Sequence, residues 1–392
     1  MAYPKLFLKK GKEAFVASRH PWVFDGALDL GRSRGAEPGP VELCASDGAF
    51  VGIGTFNPAS AISVRLLSRE RVDLDEAFFA GRLRTAAALR EDVVPRDTNA
   101  YRLVNSEGDG LPGLVVDRFA DHLVVQVGTP GMAALEPAWL PALVAAARPA
   151  SILQRANQSA ANRERMTAPS GQLAGETPAL VDIAEHGVRL RLDPHHGQKT
   201  GFFCDQRDTR AIVRGLAKDS RVLDGYAYTG AFTAHALSGC AASVTAVESS
   251  PSAAELVPVN AELAVAGGAQ RVSVVRGDCA ELLGAAGDAF DLVIIDPPAL
   301  AKKRQHVEKA ARLYVDLFAK ALRRTAPGGY LVACSCSAAV DRGLFEQILA
   351  AASREAGRET RIVHRGGAGA DHPTSAFHPE GEYLKTAVLY AP

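Results

Sequence analysis

The chain has 392 residues, 47% of them hydrophobic, and its 44 basic side chains are matched by 44 acidic ones. That length supports two or three separate cores. The even charge balance excludes a global field drawing in nucleic acid, so such binding would need a local basic surface. No apolar run reaches the roughly eighteen residues that span a bilayer, and Met1-Ala2-Tyr3-Pro4-Lys5 lacks the apolar stretch of a secretion signal, so a cytoplasmic location is expected.

Residues 1–71 carry short alternating segments at 5–8, 40–43, 50–54 and 62–67, divided by turn signals such as Ser46-Asp47-Gly48 and Asn57-Pro58. This pattern predicts a small β-rich module. Lys9, Lys10 and Lys12, followed by Arg19-His20-Pro21-Trp22, place cations near an exposed-looking aromatic. They read as a phosphate-contacting RNA surface or as an ordinary solvated loop.

Helical spacing of Phe78, Phe79, Leu83, Ala86 and Leu89 opens a second module over residues 72–180. Strands are predicted over 101–105, 114–117, 122–127 and 151–154, with one Ala-rich helix over 132–147, which makes this module α+β. Residues 158–176 show no period and read as a loop.

The third module covers residues 181–392 and begins with a hairpin signal, two alternating stretches about Glu185-His186-Gly187. From Asp219 the rhythm is strand, loop, helix, repeated. Strands are predicted over 221–224, 244–248, 272–275, 291–296 and 329–334, and helices over 232–238, 251–266, 306–325 and 342–356. Such alternation requires crossovers and hence an α/β doubly wound, Rossmann-like parallel sheet. Two late strands, over 361–364 and 382–390, close its edge.

Acidic residues end four successive strands: Asp224, Glu248, Asp278 and Asp296. The first is followed by Gly225-Tyr226-Ala227-Tyr228-Thr229-Gly230, a loop whose glycines let a ligand approach the backbone. It is not G-x-G-x-x-G, which weakens a nicotinamide reading. Glu248 stands where a carboxylate accepts both hydroxyls of a ribose. Each acid alone could be a helix cap; the series points to a nucleoside cofactor. The six cysteines include no C-x-x-C pair, so no metal is expected, and Cys44, Cys240 and Cys279 are expected to be buried hydrophobes.

The stretches Gly197–Arg207, Asp224–Gly230, Asp296-Pro297-Pro298, Ser335-Cys336-Ser337 and His378–Lys385, with Asn105–Leu114 earlier, carry a resemblance. The last module resembles class I S-adenosylmethionine-dependent methyltransferases. The whole chain resembles the RlmI-type bacterial 23S rRNA cytosine-5 methyltransferases, which have an N-terminal PUA domain.

The resemblance implies S-adenosylmethionine as cofactor, enclosed by Lys199, Phe202, Asp205, Gln206 and Arg207, by the Asp224, Tyr226, Tyr228, Thr229, Gly230 loop, and by Asp296 and Pro297. Glu248 would hold its ribose and Asp278 its adenine amino group. The implied partner is 23S rRNA or an assembling large ribosomal subunit, met by Lys9, Lys10, Lys12, Lys199, Lys302, Lys303 and Arg304, with a homodimer as a further expectation and no membrane.

Carbon 5 of cytosine is a poor nucleophile. A thiolate added at carbon 6 makes it an enamine, which assigns Cys336 as nucleophile, and a carboxyl group near ring nitrogen 3 assists, which assigns Asp296. Cys334 lies one step deeper in the strand. Ala299 stands where many such enzymes carry a second cysteine for release, and where adenine-N6 enzymes carry a stacking aromatic. Two rival readings remain: methylation of another atom, such as guanine N2, and a non-catalytic RNA-binding or ribosome-assembly protein.

Overall fold

The computed structural model describes residues 3–33, 36–301 and 306–392. The first sheet has five strands in the order Lys5–Phe7, Gly39–Cys44, Phe50–Phe56, Ile62–Ser68, Trp22–Phe24. It encloses Leu6, Val41, Leu43, Val64 and Leu66, the alternate residues that the sequence pattern had turned inward.

The second sheet runs Gly171–Ala174, Ser151–Gln154, His122–Val127, Leu114–Phe119, Ala100–Asn105. Helices Glu76–Val93 and Glu136–Ala147 pack on each other and supply Phe79, Leu83, Trp139 and Leu143 to its core. Two expectations fail in this module. The single helix over 132–147 is two, Pro130–Ala134 and Glu136–Ala147, because Pro137 sits in a first turn, where its missing N–H costs nothing. The expected loop over 158–176 holds a helix, Gln158–Glu164, capped by Asn157, and an edge strand, Gly171–Ala174. That helix is short and polar, and it is held by tertiary contacts: buried Glu164 pairs with Arg65 at 2.6 Å and accepts from Asn57 and Ser60 of the first sheet.

Strands Val181–Glu185 and Val188–Leu192 form a separate hairpin whose turn residues His186 and Gly187 have φ of 48° and 73°, as a two-residue hairpin turn requires.

The third sheet consists of β1 (Arg221–Gly225), β2 (Ser243–Glu248), β3 (Val272–Arg276), β4 (Phe290–Ile295), β5 (Thr325–Ser335), β6 (Arg361–Gly366) and β7 (Lys385–Ala391). Its order is β3-β2-β1-β4-β5-β7-β6, with β1 to β5 parallel and β7 antiparallel to both its neighbours. Helices α1 (Arg207–Leu216), α2 (Ala231–Ser238), α3 (Pro251–Ala264), α4 (Cys279–Gly284), α5 (Val307–Arg324) and α6 (Arg342–Ala356) accompany it. Both faces of the sheet are buried, by Leu223, Val293 and Leu331 among others on one side and Val222, Ile294 and Val332 on the other. This explains why the strands read as continuous apolar runs. Strand order reverses between β1 and β4, so the ligand crevice opens at their C-terminal ends. Cys44 and Cys279 are buried as expected, whereas Cys240 is exposed in a turn with φ of 66°.

The hairpin is anchored to this layer by a buried ion pair. Arg210 of α1 donates from Nε and Nη2 to Glu185 at 2.6 and 2.7 Å, and His235 of α2 lies 3.1 Å from the same carboxylate. Burial alone would raise the Glu185 pKa, but the Arg210 charge prevails and holds it down at about 2. Glu185→Gln leaves the Arg210 guanidinium without a counter-charge, and urea unfolding is expected to show a loss of about 3–5 kcal/mol. Unchanged stability would refute this.

The segment between β6 and β7 joins all three modules. Asp371, fully buried, pairs with Arg207 of α1 at 3.1 Å and accepts from the Arg102 backbone N–H at 2.9 Å, while its carbonyl accepts from Arg90 at 2.8 Å. His378 stacks edge-on against Trp22 of the first sheet, with centroids 4.4 Å apart, and Glu380 meets His20 at 3.2 Å. Trp22 is therefore no exposed aromatic: its ring packs on His378 and its indole N–H donates to Glu107 at 2.8 Å.

Candidate active site

β1 delivers Asp224 into a loop of unusual backbone. Tyr226 and Tyr228 have φ of 65° and 51°, and Gly230 has φ of 81°. Left-handed tyrosines are costly, and such outliers persist where surrounding contacts enforce them, often at binding sites. The enforcing contacts are present. The Tyr228 N–H donates to Glu248 at 2.8 Å, and its hydroxyl accepts from Gln198 N at 2.8 Å and donates to Gly201 O at 3.1 Å. Gly225 is required by close approach, since a Cβ there would lie 2.6 Å from the Cys279 sulfur.

Asp224 is buried. One oxygen accepts from the Thr233 N–H and hydroxyl at 3.0 and 2.7 Å, while Oδ1 has no partner. Burial, opposed by those two bonds, leaves its pKa raised to about 6. Glu248, at the end of β2, accepts from the backbone N–H groups of Tyr228 at Oε2 and Ser250 at Oε1, and Oε1 also accepts from the Ser249 hydroxyl at 3.5 Å, so Oε2 retains a further lone pair. Asp278 is a helix cap: its Oδ1 accepts from Ala280 N and Glu281 N at the start of α4, and Oδ2 remains available.

The segment before α1 forms the opposite wall. Asp205 accepts from Lys199 at 3.2 Å and from the Tyr383 hydroxyl at 2.5 Å, both at Oδ2, and its Oδ1 has no partner. Burial would raise its pKa, but Lys199 and His372 lead the opposing charges and hold the carboxyl well below its usual range. Lys199 also lies 4.4 Å from the Phe203 ring centroid. Both amide atoms of buried Gln206 lack hydrogen bonds of normal geometry, although the side chain stands beside Asp296 and favours its charged form.

Arg207 is committed to Asp371, with Nη1 left over. Phe202 packs into the core against Phe119. The unpartnered acceptors Asp224 Oδ1, Asp205 Oδ1 and Thr229 Oγ1, with the two faces of the Gln206 amide, match what a nucleoside bearing hydroxyls and an amino-acid tail would need. The residues present fit S-adenosylmethionine.

β4 and β5 are parallel neighbours with Ile295 opposite Ala333, so Asp296 and Cys336 leave adjacent strands at the same edge. Both are half-buried, and Cys336 Sγ lies 3.9 Å from Pro297 O. Burial and the Asp205 charge raise Asp296 to about 7. Burial and then Asp296 raise the Cys336 thiol, against an opposing effect of Lys199. Cys334 is completely buried.

Of the cations expected to meet RNA, Lys199 is in this pocket. Lys9, Lys10 and Lys12 lie exposed on the first sheet's module, with Lys9 Nζ on Gly26 O, and Lys302, Lys303 and Arg304 fall outside the described residues. Asp371-His372-Pro373 and His378–Lys385 read in the sequence as a loop and final strand lining the pocket, with no role for the Asp371 or Lys385 side chain.

His20, His378 and Glu380 bring three ligand-type atoms within 4.8 Å of one another. However, His20 Nδ1 accepts from the Trp22 N–H at 3.0 Å, which puts the ring proton of the neutral form on Nε2, facing Glu380. This is the arrangement of a hydrogen-bonded clamp and not of a metal ligand.

Residues 136–374 match the family described as S-adenosylmethionine-dependent methyltransferase, and residues 6–69 match a PUA-like domain. The chain is 36% identical over 389 residues to "Ribosomal RNA large subunit methyltransferase I" of Salmonella typhi, covering 98% of this chain and 96% of that protein. The same-named protein of Salmonella arizonae is also 36% identical, over 390 residues. Among solved structures, a SAM-dependent methyltransferase from Streptococcus mutans superposes with a TM-score of 0.81 at 19% identity over the whole of both chains. A further methyltransferase, complexed with SAH, gives 0.83 at 19% identity, also over the whole of both chains. With its strand-end carboxylates, its reversed strand order and these likenesses together, the chain belongs to the S-adenosylmethionine-dependent methyltransferases and carries a PUA-like domain ahead of the catalytic sheet.

Proposed function

We propose that the protein methylates carbon 5 of a cytosine in 23S rRNA of the large ribosomal subunit, with Cys336 as nucleophile and Asp296 as its acid partner. The carrying observation is that this thiol and this carboxyl group leave adjacent parallel strands at the cofactor edge. The relatives named as large-subunit rRNA methyltransferases support the substrate class, and a ribosomal substrate agrees with work in the cytoplasm.

The cofactor supplies an electrophilic methyl group on a sulfonium. The target base must leave its stack to reach Cys336. The thiolate bonds to carbon 6, the electron pair of the 5,6 double bond moves to carbon 5, and Asp296 donates a hydrogen bond or proton at nitrogen 3 as charge gathers there. After methylation the carbon 5 proton leaves and the sulfur–carbon bond breaks, with water or another base replacing the cysteine absent at Ala299. Lys9, Lys10 and Lys12 serve as phosphate contacts remote from the reacting base.

Unmodified 23S rRNA incubated with protein and labelled S-adenosylmethionine, then digested to nucleosides, should yield labelled 5-methylcytidine. Label in N2-methylguanosine would overturn the target atom. Tight cofactor binding with no transfer to any rRNA would favour a non-catalytic assembly role.

A further inference from the structure

Lys385 is the first residue of β7, opposite Ser335 in register, and its side chain is 2% exposed. Lysine is almost never buried this deeply without partners. Its partners here are two backbone carbonyls, Ser337 O and Tyr383 O, each at 2.7 Å. Ser337 directly follows Cys336, and Tyr383 is the residue whose hydroxyl binds Asp205. A single ammonium therefore ties the loop carrying the nucleophile to the strand entry that forms the opposite wall of the pocket.

The other side of the Cys336 loop is fixed by neutral groups. The Ser337 hydroxyl accepts from Ala301 N at 3.1 Å and meets Tyr314 of α5 at 3.0 Å, and the Ser335 hydroxyl donates to the same tyrosine at 3.1 Å. The ionisable groups facing Cys336 are Asp296 after β4, Asp205 and Lys199 before α1, Tyr314 from α5, Lys385 from β7 and the Cys334 thiol of β5 itself. Two of these are carboxyl groups that oppose a thiolate, and Lys199 is engaged by Asp205 and half open to solvent. Lys385 is itself flanked by Glu382, Arg342 and Asp341 and is shifted down to about 8 by burial, which leaves it mostly charged at neutral pH. It is a fixed positive charge in a dry environment, where such a charge acts most strongly.

We infer that Lys385 is a positioning residue for the proposed reaction: it clamps the Cys336 loop through the Ser337 and Tyr383 carbonyls and supplies the buried cation that favours the Cys336 thiolate. This rests on the assignment of Cys336 as nucleophile, and it supplies a charge that offsets part of what burial and Asp296 cost the thiolate. The thiol proton leaves to solvent as the anion forms beside the ammonium, so no further reagent is needed.

The test is the pH dependence of Cys336 alkylation by iodoacetamide in the full chain, followed by peptide mass spectrometry. Lys385→Gln keeps two N–H donors for the two carbonyls and removes the charge; Lys385→Met removes both. The Gln variant is expected to slow alkylation near neutral pH, where Lys385 is charged, by about tenfold, with the difference fading above pH 8 as the lysine loses its proton. Its kcat for methyl transfer should fall with the KM for RNA unchanged. The Met variant should show the same slowing and a larger loss of kcat. S-adenosylmethionine affinity, measured by calorimetry, should hold in the Gln variant and certify its fold, so the test survives if Lys385→Met does not fold. A Gln variant with the parental alkylation rate at neutral pH and the parental kcat overturns the inference. Methyl transfer that persists in a Cys336→Ser protein would overturn the nucleophile assignment instead, and the alkylation rate at neutral pH keeps the two failures distinct.

Discussion

Cys336→Ser is expected to lower kcat for methyl transfer by on the order of 10⁴-fold or more while S-adenosylmethionine binding stays close to that of the parent. The side chain changes by one atom, and its surroundings, a half-buried loop closed by Pro297 O on one side, accept a hydroxyl without repacking. A serine hydroxyl, however, is far less acidic than a thiol, and the nearby groups that could assist are either engaged, as Lys199 and Lys385 are, or opposing, as Asp296 is. Single-turnover transfer to 23S rRNA with calorimetric cofactor binding checks both halves. Full activity in the serine variant removes Cys336 from the chemistry.

Asp296→Asn should cost about 10²–10⁴-fold in kcat, the usual contribution of a positioned acid or base. The amide can still donate a hydrogen bond at nitrogen 3 of the base but cannot give up a proton. With the Asp296 pKa raised to about 7 by burial and Asp205, the protonated form is lost as pH climbs through neutrality. Thiolate formation runs the other way, so the parent should show a bell-shaped rate profile and the variant should lose its alkaline limb.

The same shift bears on stability. The folded pKa lies above the unfolded value of about 3.9, so the folded state binds the proton more tightly. The relative stability this confers is complete below that unfolded value and is lost as pH rises through about 7. Without cofactor, Asp296→Asn should unfold at higher urea concentration than the parent at pH 8, by up to about 4 kcal/mol, with the gap narrowing toward pH 4. A variant less active yet more stable at alkaline pH is the signature of a strained functional group. Equal stability at both pH values would show that Asp296 is not shifted.

The parallel sheet was legible because its strands are buried on both faces: Leu292–Ile295 ends in Asp296 and two prolines, and that is where β4 stops. The series of strand-end acids was legible for the same topological reason, though Asp278 proves to cap α4 as well. Contacts across long separations were not. Asp371 meets Arg90 and Arg102 more than two hundred and fifty residues away, and no local pattern encodes such a pairing. Trp22 looked exposed because its cover, His378, comes from the last stretch of chain. Helix Gln158–Glu164 was missed because its stability comes from Glu164 meeting Arg65, while its own sequence is short and weakly periodic. Lys385 read as one residue of the expected strand over 382–390, since a buried lysine is recognisable only once the carbonyls that hold it are known.

β7 lies between β5 and β6 although it is made after both, so the strand leading to Cys336 presents an open hydrogen-bonding edge until residues 385–391 have been synthesised. The preceding segment, with Asp371 and His378, closes the joints to the two earlier modules in the same interval. Chains emerge from the ribosome in order, and earlier modules fold first. The Cys336 loop therefore gains its Lys385 anchor only after residues 385–391 have emerged, and a chain shorter than that holds the catalytic sheet open along β5.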